Sequence, residues 1–142
     1  MVLMTRRIVL GAILVWATLV GCGASGGQTK DIDVSLDDVL SQRTIARDIA
    51  LSVGDTLKLS LGANNSTPYR WTEEPKIGDP GVLKQTGHEY KQKGNMPGSP
   101  GIEVWRFKAL QVGASTIIAD YARIAGGDPA PTCIFTAHVT VQ

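Results

Sequence analysis

Catalysis by a side chain needs a nucleophile, a base within hydrogen-bond reach and a third group that orients the base. The chain is poor in all three. Its histidines are His88 and His138, and its cysteines are Cys22 and Cys133. The closing run "TCIFTAHVTV" alternates Cys133, Phe135, Ala137, Val139 and Val141 against Ile134, Thr136, His138 and Thr140. A strand reads its two faces with period two, so His138 is turned away from Cys133 and a thiol–imidazole pair is not expected. Cys133 reads better as a buried structural thiol. The carboxylates Asp37-Asp38 and Glu73-Glu74 are adjacent pairs; on a strand they point to opposite faces, and on a loop they ordinarily solvate it. No CxxC, HExxH or phosphate-binding glycine motif occurs, so no metal, cofactor or enzymatic activity is expected. Two overlapping glycosylation sequons, Asn64-Asn65-Ser66 and Asn65-Ser66-Thr67, carry little weight in a chain that starts as this one does.

That start is "MVLMTRR" followed by "IVLGAILVWATLV", a charged region and then a short apolar one, as in a secretory leader. The apolar run, Ile8 to Val20, is too short for a comfortable membrane span. It ends in "LVGC", Leu19 to Cys22, which resembles the lipobox of bacterial lipoproteins. The resemblance implies cleavage before Cys22, lipid on Cys22, and a place on the extracytoplasmic face of a cell membrane. Arg6-Arg7 also resembles a twin-arginine export signal, but a basic pair before any leader is the more ordinary explanation. Removing residues 1–21 leaves 121 residues with 12 basic and 13 acidic side chains, a net of −1. Such a balance argues against a nucleic-acid partner, whose phosphates would call for a clustered basic face. With Cys22 lipidated, Cys133 is the remaining thiol and no intrachain bridge is expected.

The elements follow from period and punctuation. Residues 22–30 contain "GASGGQTK" and read as a flexible tether. Beyond it "DIDVSL" alternates Ile32, Val34 and Leu36, "DIALSV" alternates Ile49, Leu51 and Val53, and "TLKLSL" alternates Leu57, Leu59 and Leu61. Gly54-Asp55 between the last two runs is a hairpin signal. Trp105, Phe107 and Ala109 share one face of "EVWRFKALQVG" against Arg106 and Lys108, and Ile117, Ala119 and Tyr121 share one face of "STIIADYAR". One short helical turn fits "LDDVLSQRTIA". Six or seven short strands in residues 31–142 predict one all-β domain, an immunoglobulin-like antiparallel β-sandwich.

Three segments break the strand pattern with Gly, Pro or Asn: "GANNSTPY", "QKGNMPGSPG" and "RIAGGDPAPT". Sandwich loops gather at the two ends of the sheets and carry a disproportionate share of function. From about Ile45 to the C-terminus the chain resembles the chagasin family of cysteine-protease inhibitors. That family's first loop reads close to NPTTGY/F-x-W. Here "NNSTPYRW" keeps Asn64, Thr67, Tyr69 and Trp71, with Asn65 for the proline, Ser66 for the first threonine and Pro68 for the glycine. The framework runs "VGDTLKLSL" and "LQVGASTIIADYAR" are also similar. The second loop's GxGG is matched by Gly98, Ser99, Pro100 and Gly101. The third loop's R-P-W/F reads Arg123, Ile124, Ala125, keeping the arginine and losing the proline and the aromatic.

The resemblance implies a three-loop wedge that enters the cleft of a papain-like cysteine protease and blocks it reversibly. Asn64, Asn65, Ser66, Thr67, Pro68 and Tyr69 would form its centre, and the other two segments its flanks. A wedge must be stiff, because ordering a floppy loop on binding costs affinity. Pro68 fixes its own φ and restricts Thr67, although it cannot adopt the positive φ open to the family's glycine, so the loop path must differ. Trp71 is expected to bury its ring beneath the loop, with Tyr69 covering the sandwich end. Truncating an aromatic anchor at an interface costs about 2 kcal/mol or more, roughly thirty-fold in affinity. The altered third segment therefore leaves open an alternative, an envelope binding or scaffolding module on the same sandwich without protease inhibition. For Gly98–Gly101 a plain hairpin turn is the alternative reading.

Overall fold

The structure, a computed structural model, describes residues 26–126 and 130–142. The expected leader and Cys22 lie outside those residues. Among the described residues nine strands form two sheets packed face to face, with one helical turn beside them. The first sheet has the order β1 (Thr29–Val34), β3 (Thr56–Ala63), β7 (Gly101–Ala109), β6 (Leu83–Gln92). The second has the order β2 (Thr44–Leu51), β9 (Cys133–Val141), β8 (Gly113–Arg123), β4 (Tyr69–Trp71), and the two-residue β5 (Lys76–Ile77) also pairs with β8. Thr29 and Lys30, expected in the tether, are the first residues of β1.

Period two decides which side chains meet between the sheets. Leu57, Leu59 and Leu61 of β3 lie in register with Phe107, Trp105 and Glu103 of β7. On the facing sheet Ile117, Ala119 and Tyr121 of β8 pair with Ala137, Phe135 and Cys133 of β9. Apart from Glu103, a buried carboxylate, these inward residues belong to one core, whose apolar contact is the main stabilising term of such a fold. His138 is exposed and Cys133 buried, as the alternation requires.

The sandwich is immunoglobulin-like, with parallel pairings along one side of each sheet: β1 runs parallel to β3, and β2 parallel to β9. The hairpin expected at Gly54-Asp55 is absent, because β2 and β3 belong to different sheets. The turn chemistry is nonetheless that of a tight turn. Gly54 has φ +92°, the Asp55 amide donates to the Ser52 carbonyl at 3.0 Å, and the Asp55 carboxylate accepts from the Ser52 and Gln28 amides at 2.8 and 2.9 Å. The turn bridges the sheets, since the Val53 amide donates to Gln142 at 3.1 Å and the Gly54 amide to Ala109 at 2.9 Å. A hairpin would have placed β2 beside β3, where β1 lies, and left the facing sheet without its edge.

The short helical turn forms as α1 (Leu36–Ser41). Ser35 caps it, with its hydroxyl accepting from the Asp38 amide at 3.1 Å and donating to the Asp38 carboxylate at 2.7 Å, and Asp37 and Asp38 favour its N-terminal end. Val39 is buried on the core side. Gly62 lets the helix come this close, because a Cβ there would stand 2.2 Å from the Leu36 amide nitrogen.

Candidate functional site

Strand directions decide where the irregular segments meet. Ala63, the last residue of β3, is opposite Gly101, and Gly101 is opposite Gln92. Tyr69 is opposite Arg123. The three Gly/Pro/Asn-rich segments therefore leave the sheets at the same end. Residues 64–68 cross from the first sheet to the second, residues 93–100 close the β6–β7 hairpin, and the described residues 124–126 and 130–132 belong to the β8–β9 connection.

The first segment is stiff through its own side chains. The Asn64 carbonyl accepts from the Thr67 amide at 3.0 Å and from the Thr67 hydroxyl at 2.6 Å. The Asn64 side-chain oxygen accepts from the Ser66 amide at 3.1 Å and the Ser66 hydroxyl at 2.6 Å, an asparagine turn of the kind that imitates a backbone turn. Ser66 and Pro68 are exposed, whereas Asn64, Asn65, Thr67 and Tyr69 are half-buried. Beneath the loop lies Arg70. Its guanidinium donates to the carbonyls of Asn65 at 2.8 Å and Tyr69 at 2.7 Å and also to that of Thr67. Pro68 has the negative φ expected of it, since no residue other than glycine has a positive one among the described residues.

The loop is also tied to its neighbours. The Asn64 amide group donates to the Gly98 carbonyl at 3.3 Å, and the Asn65 backbone N–H donates to the Tyr90 hydroxyl at 3.4 Å. On the other side the Ile124 amide donates to the Pro68 carbonyl at 2.9 Å. Among the loop carbonyls from Asn64 to Tyr69, that of Ser66 at the apex is left without a partner among the described residues.

Trp71 is 3% exposed and its indole N–H donates to the Gly62 carbonyl at 2.9 Å. It meets Trp105 edge-on, with centroids 6.4 Å apart, and Tyr121 at 5.0 Å. Tyr69 packs on Tyr121 at 5.8 Å. A column of rings thus connects the core to the base of the first segment.

The second segment differs from its expected outline. Gly101 is a buried residue of β7, not a loop residue. Its missing side chain matters, because a Cβ would stand 2.4 Å from the Lys91 carbonyl and 2.6 Å from the Tyr90 ring. Gly98 has φ +84°, the Ser99 amide donates to the Met96 carbonyl at 3.1 Å, and the Lys93 amide donates to Pro100 at 2.9 Å. The most projecting apolar side chain is Met96, 73% exposed. In the third segment Arg123 folds its guanidinium onto the Ala125 carbonyl at 3.1 Å. Ile124 is 63% exposed. Arg123, Arg43 and Tyr69 line a cleft of about 380 Å³ with Pro131 and Thr132.

The residues first considered for catalysis are dispersed. The His88 ring nitrogen Nε2 lies 2.6 Å from the Glu103 carboxylate, and the ring stacks on Trp105. Cys133 is buried, and burial pushes its thiol pKa up. Asp38 belongs to the α1 cap. The Glu73 carbonyl accepts from the Trp105 indole at 3.0 Å and the Gln85 amide at 3.1 Å. Among the described residues no three of His, Cys, Asp and Glu gather as a metal site.

Arg70, Tyr90 and Met96 were not legible as site residues. For Arg70 a signal exists: alternation through Tyr69-Arg70-Trp71 puts the two rings on the core side and the arginine on the other. Tyr90 is separated from Asn65 by 25 positions and nothing local connects them.

Known proteins share this fold. The cysteine protease inhibitor EhICP2 from Entamoeba histolytica is similar in structure, with TM-score 0.63 and 22% identity over 82% of this chain and 100% of that one. So is Amebosin, with TM-score 0.55 and 21% identity over 82% of this chain and 100% of that one. PbICP-C, in complex with falcipain-2, gives TM-score 0.50 and 24% identity over the same shares. At these identities the likeness is one of fold. No curated protein sequence matches the chain. Residues 50–139 match the family model described as chagasin family peptidase inhibitor I42, a span that includes all three loop segments, and the chain belongs to the chagasin family of peptidase inhibitors.

Proposed function

We propose that the protein is a lipid-anchored, reversible inhibitor of papain-like cysteine proteases, held through Cys22 on the extracytoplasmic face of a membrane, and that it fills the target's cleft with the edge formed by Asn64–Tyr69, Gly98–Pro100 and Arg123–Ala125. The observation that carries the reading is the cross-bonding of the three segments at one end, Asn64 to Gly98 and Ile124 to Pro68. A pre-stiffened edge loses little conformational freedom on docking. PbICP-C, which shares the fold, was solved with falcipain-2 bound.

The same bonds bear on why the inserted loop would survive the protease. Attack by a thiolate sends the carbonyl oxygen into an oxyanion site. The carbonyls of Asn64, Asn65, Thr67, Pro68 and Tyr69 are each held by donors of this chain, so presenting any of them to the oxyanion site requires breaking the loop; that of Ser66 is the exception, and its place in a braced turn is what must keep it from attack. The test is inhibition of papain and related proteases by the full chain in detergent. Competitive inhibition that Ser66→Arg at the exposed apex weakens is the expected result. No inhibition of any of several such proteases at micromolar protein would overturn the reading.

One observation favours a second reading. The third segment presents Ile124 and Ala125 rather than an aromatic anchor, which suits an envelope binding module that uses the same edge for another partner. Capture of one envelope protein, lost on Ser66→Arg and accompanied by no protease inhibition, would favour it.

A further inference from the structure

The end opposite the loops has a character of its own. Thr29 pairs with Thr56, and the Thr56 amide donates to the Gln28 carbonyl at 2.8 Å. The described chain therefore enters the domain at the end away from the loop edge. The same end carries three of the exposed large apolar side chains, Val53, Leu110 and Val112, the last 69% exposed. They belong to neighbouring turns, since the Gly54 amide donates to Ala109, the Leu110 amide to Val82, and the Val53 amide to Gln142.

A pair of lysines flanks this tip. Lys84 and Lys108 are directly opposite each other across β6 and β7, both exposed, and neither has a carboxylate partner among the described residues. Like charges in such a pair repel. Lys30 belongs to the other face: it lies opposite the inward Leu57, and its ammonium donates to the Ala50 carbonyl of the facing sheet at 3.5 Å. The carboxylates of this end have partners within the chain: Asp55 the Ser52 and Gln28 amides, Asp79 the Gly81 amide at 2.9 Å, and Asp31 Lys58 at 3.8 Å.

We infer that this end is a membrane-facing surface: Val53, Leu110 and Val112 sit in the headgroup layer of an anionic bilayer, with Lys84 and Lys108 against the lipid phosphates. The inference rests on the anchoring part of the proposed function and not on protease inhibition. The reach of the chain supports it, because the six steps from Cys22 to Gln28 span about 20 Å even when fully extended. An acyl chain on Cys22 would therefore keep this end near the bilayer. Apolar tips with basic neighbours suit such an interface, and the lysines' attraction to acidic lipid fades beyond a Debye length. The lipid would hold the protein there, and the end face would set its orientation.

The test uses the full lipidated chain in phosphatidylcholine vesicles, with and without phosphatidylglycerol, containing nitroxide-headgroup lipid. One fluorophore is attached through Val112→Cys or, as the control at the loop edge, through Met96→Cys; Cys133 is buried and Cys22 blocked by its lipid. Quenching at position 112 should exceed that at 96 several-fold. It should fall when phosphatidylglycerol is omitted, and fall further in Val53→Ser/Leu110→Ser or Lys84→Glu/Lys108→Glu backgrounds. Equal quenching at the two positions, or quenching indifferent to lipid charge, overturns the inference, and lipid composition decides even where a variant folds poorly. Co-sedimentation with vesicles, compared with Cys22→Ser, reads anchoring separately. A chain that sediments yet shows no difference between 112 and 96 defeats the end-face inference and leaves anchoring standing, whereas a chain that never sediments removes both.

Discussion

The guanidinium of Arg70 doubles back under the loop that precedes it and meets the Asn65 carbonyl at 2.8 Å. Two further carbonyls of the same segment, Thr67 and Tyr69, share that group. Arg70→Ala should weaken inhibition of papain by about tenfold or more, equivalent to about 1.4 kcal/mol, and should turn the loop into a substrate. The inhibition constant and the appearance of a cleaved chain after long incubation check this. Arg70→Lys should fall between, because an ammonium is a point donor and cannot span the same carbonyls. Unchanged inhibition by Arg70→Ala would mean the loop is braced elsewhere.

Gly101 links the second segment to the first through Tyr90. A methyl group there meets the Lys91 carbonyl and the Tyr90 ring, and the backbone cannot move aside without opening the β6–β7 ladder. Gly101→Ala should lower stability by about 1–3 kcal/mol, measured by urea denaturation, and should weaken inhibition as well. Tyr90→Phe removes only the hydroxyl that accepts from Asn65, so its cost should be smaller, about 0.5–1.5 kcal/mol.

Trp71 contributes both ring packing and an indole bond to Gly62. Trp71→Ala should cost about 3–5 kcal/mol. Trp71→Phe, which keeps a ring and loses the N–H, should cost about 1–3 kcal/mol. Denaturant midpoints check both, and an inhibition defect persisting at temperatures where Trp71→Phe remains folded would place the ring column in the support of the edge.

Cys133 predicts an alkaline sensitivity. Its thiol pKa is raised in the folded state by desolvation, so above the unfolded thiol value, about 8.5, the unfolded chain releases a proton that the folded chain retains. Stability conferred on the neutral thiol is then complete below that pH and declines as pH climbs toward the raised folded value. Unfolding free energies of wild type and Cys133→Ala, followed from neutral to alkaline pH, should show the extra decline in the wild type alone. The native thiol should resist alkylation until the protein unfolds.

What was legible in the sequence was what alternation encodes. Leu57–Leu61, Trp105–Ala109, Ile117–Tyr121 and Cys133–Val141 turn to the core as their period dictates, because each pattern is written within one strand. Trp71 beneath the first segment was likewise readable from an aromatic beside a polar turn. Pairing was less so. Gly54-Asp55 makes the tight turn its residues favour, yet β2 and β3 join different sheets, a choice made by distant partners: Ala109 on one side and Gln142 on the other. The parallel partners of β1 and β2 are equally non-local. At the loop edge the segments were recognisable by composition, whereas their cross-bonds were not. Asn64 and Gly98 stand 34 positions apart, and Gly101 proved to be a strand residue because Tyr90 needs the space above it.

The parallel alignment of β1 with β3 has a mechanical consequence. Its pairing runs from Thr29 opposite Thr56 to Val34 opposite Leu61, and the chain enters at the end remote from the loops. A pull on the N-terminal side, with the loop edge gripped by a partner, is directed along these strands and across their hydrogen bonds. The rungs then bear the load side by side and must slide together, whereas a hairpin pulled at its open end unzips rung by rung. An inhibitor leashed to a surface and tugged by its captive would be loaded in its stronger direction.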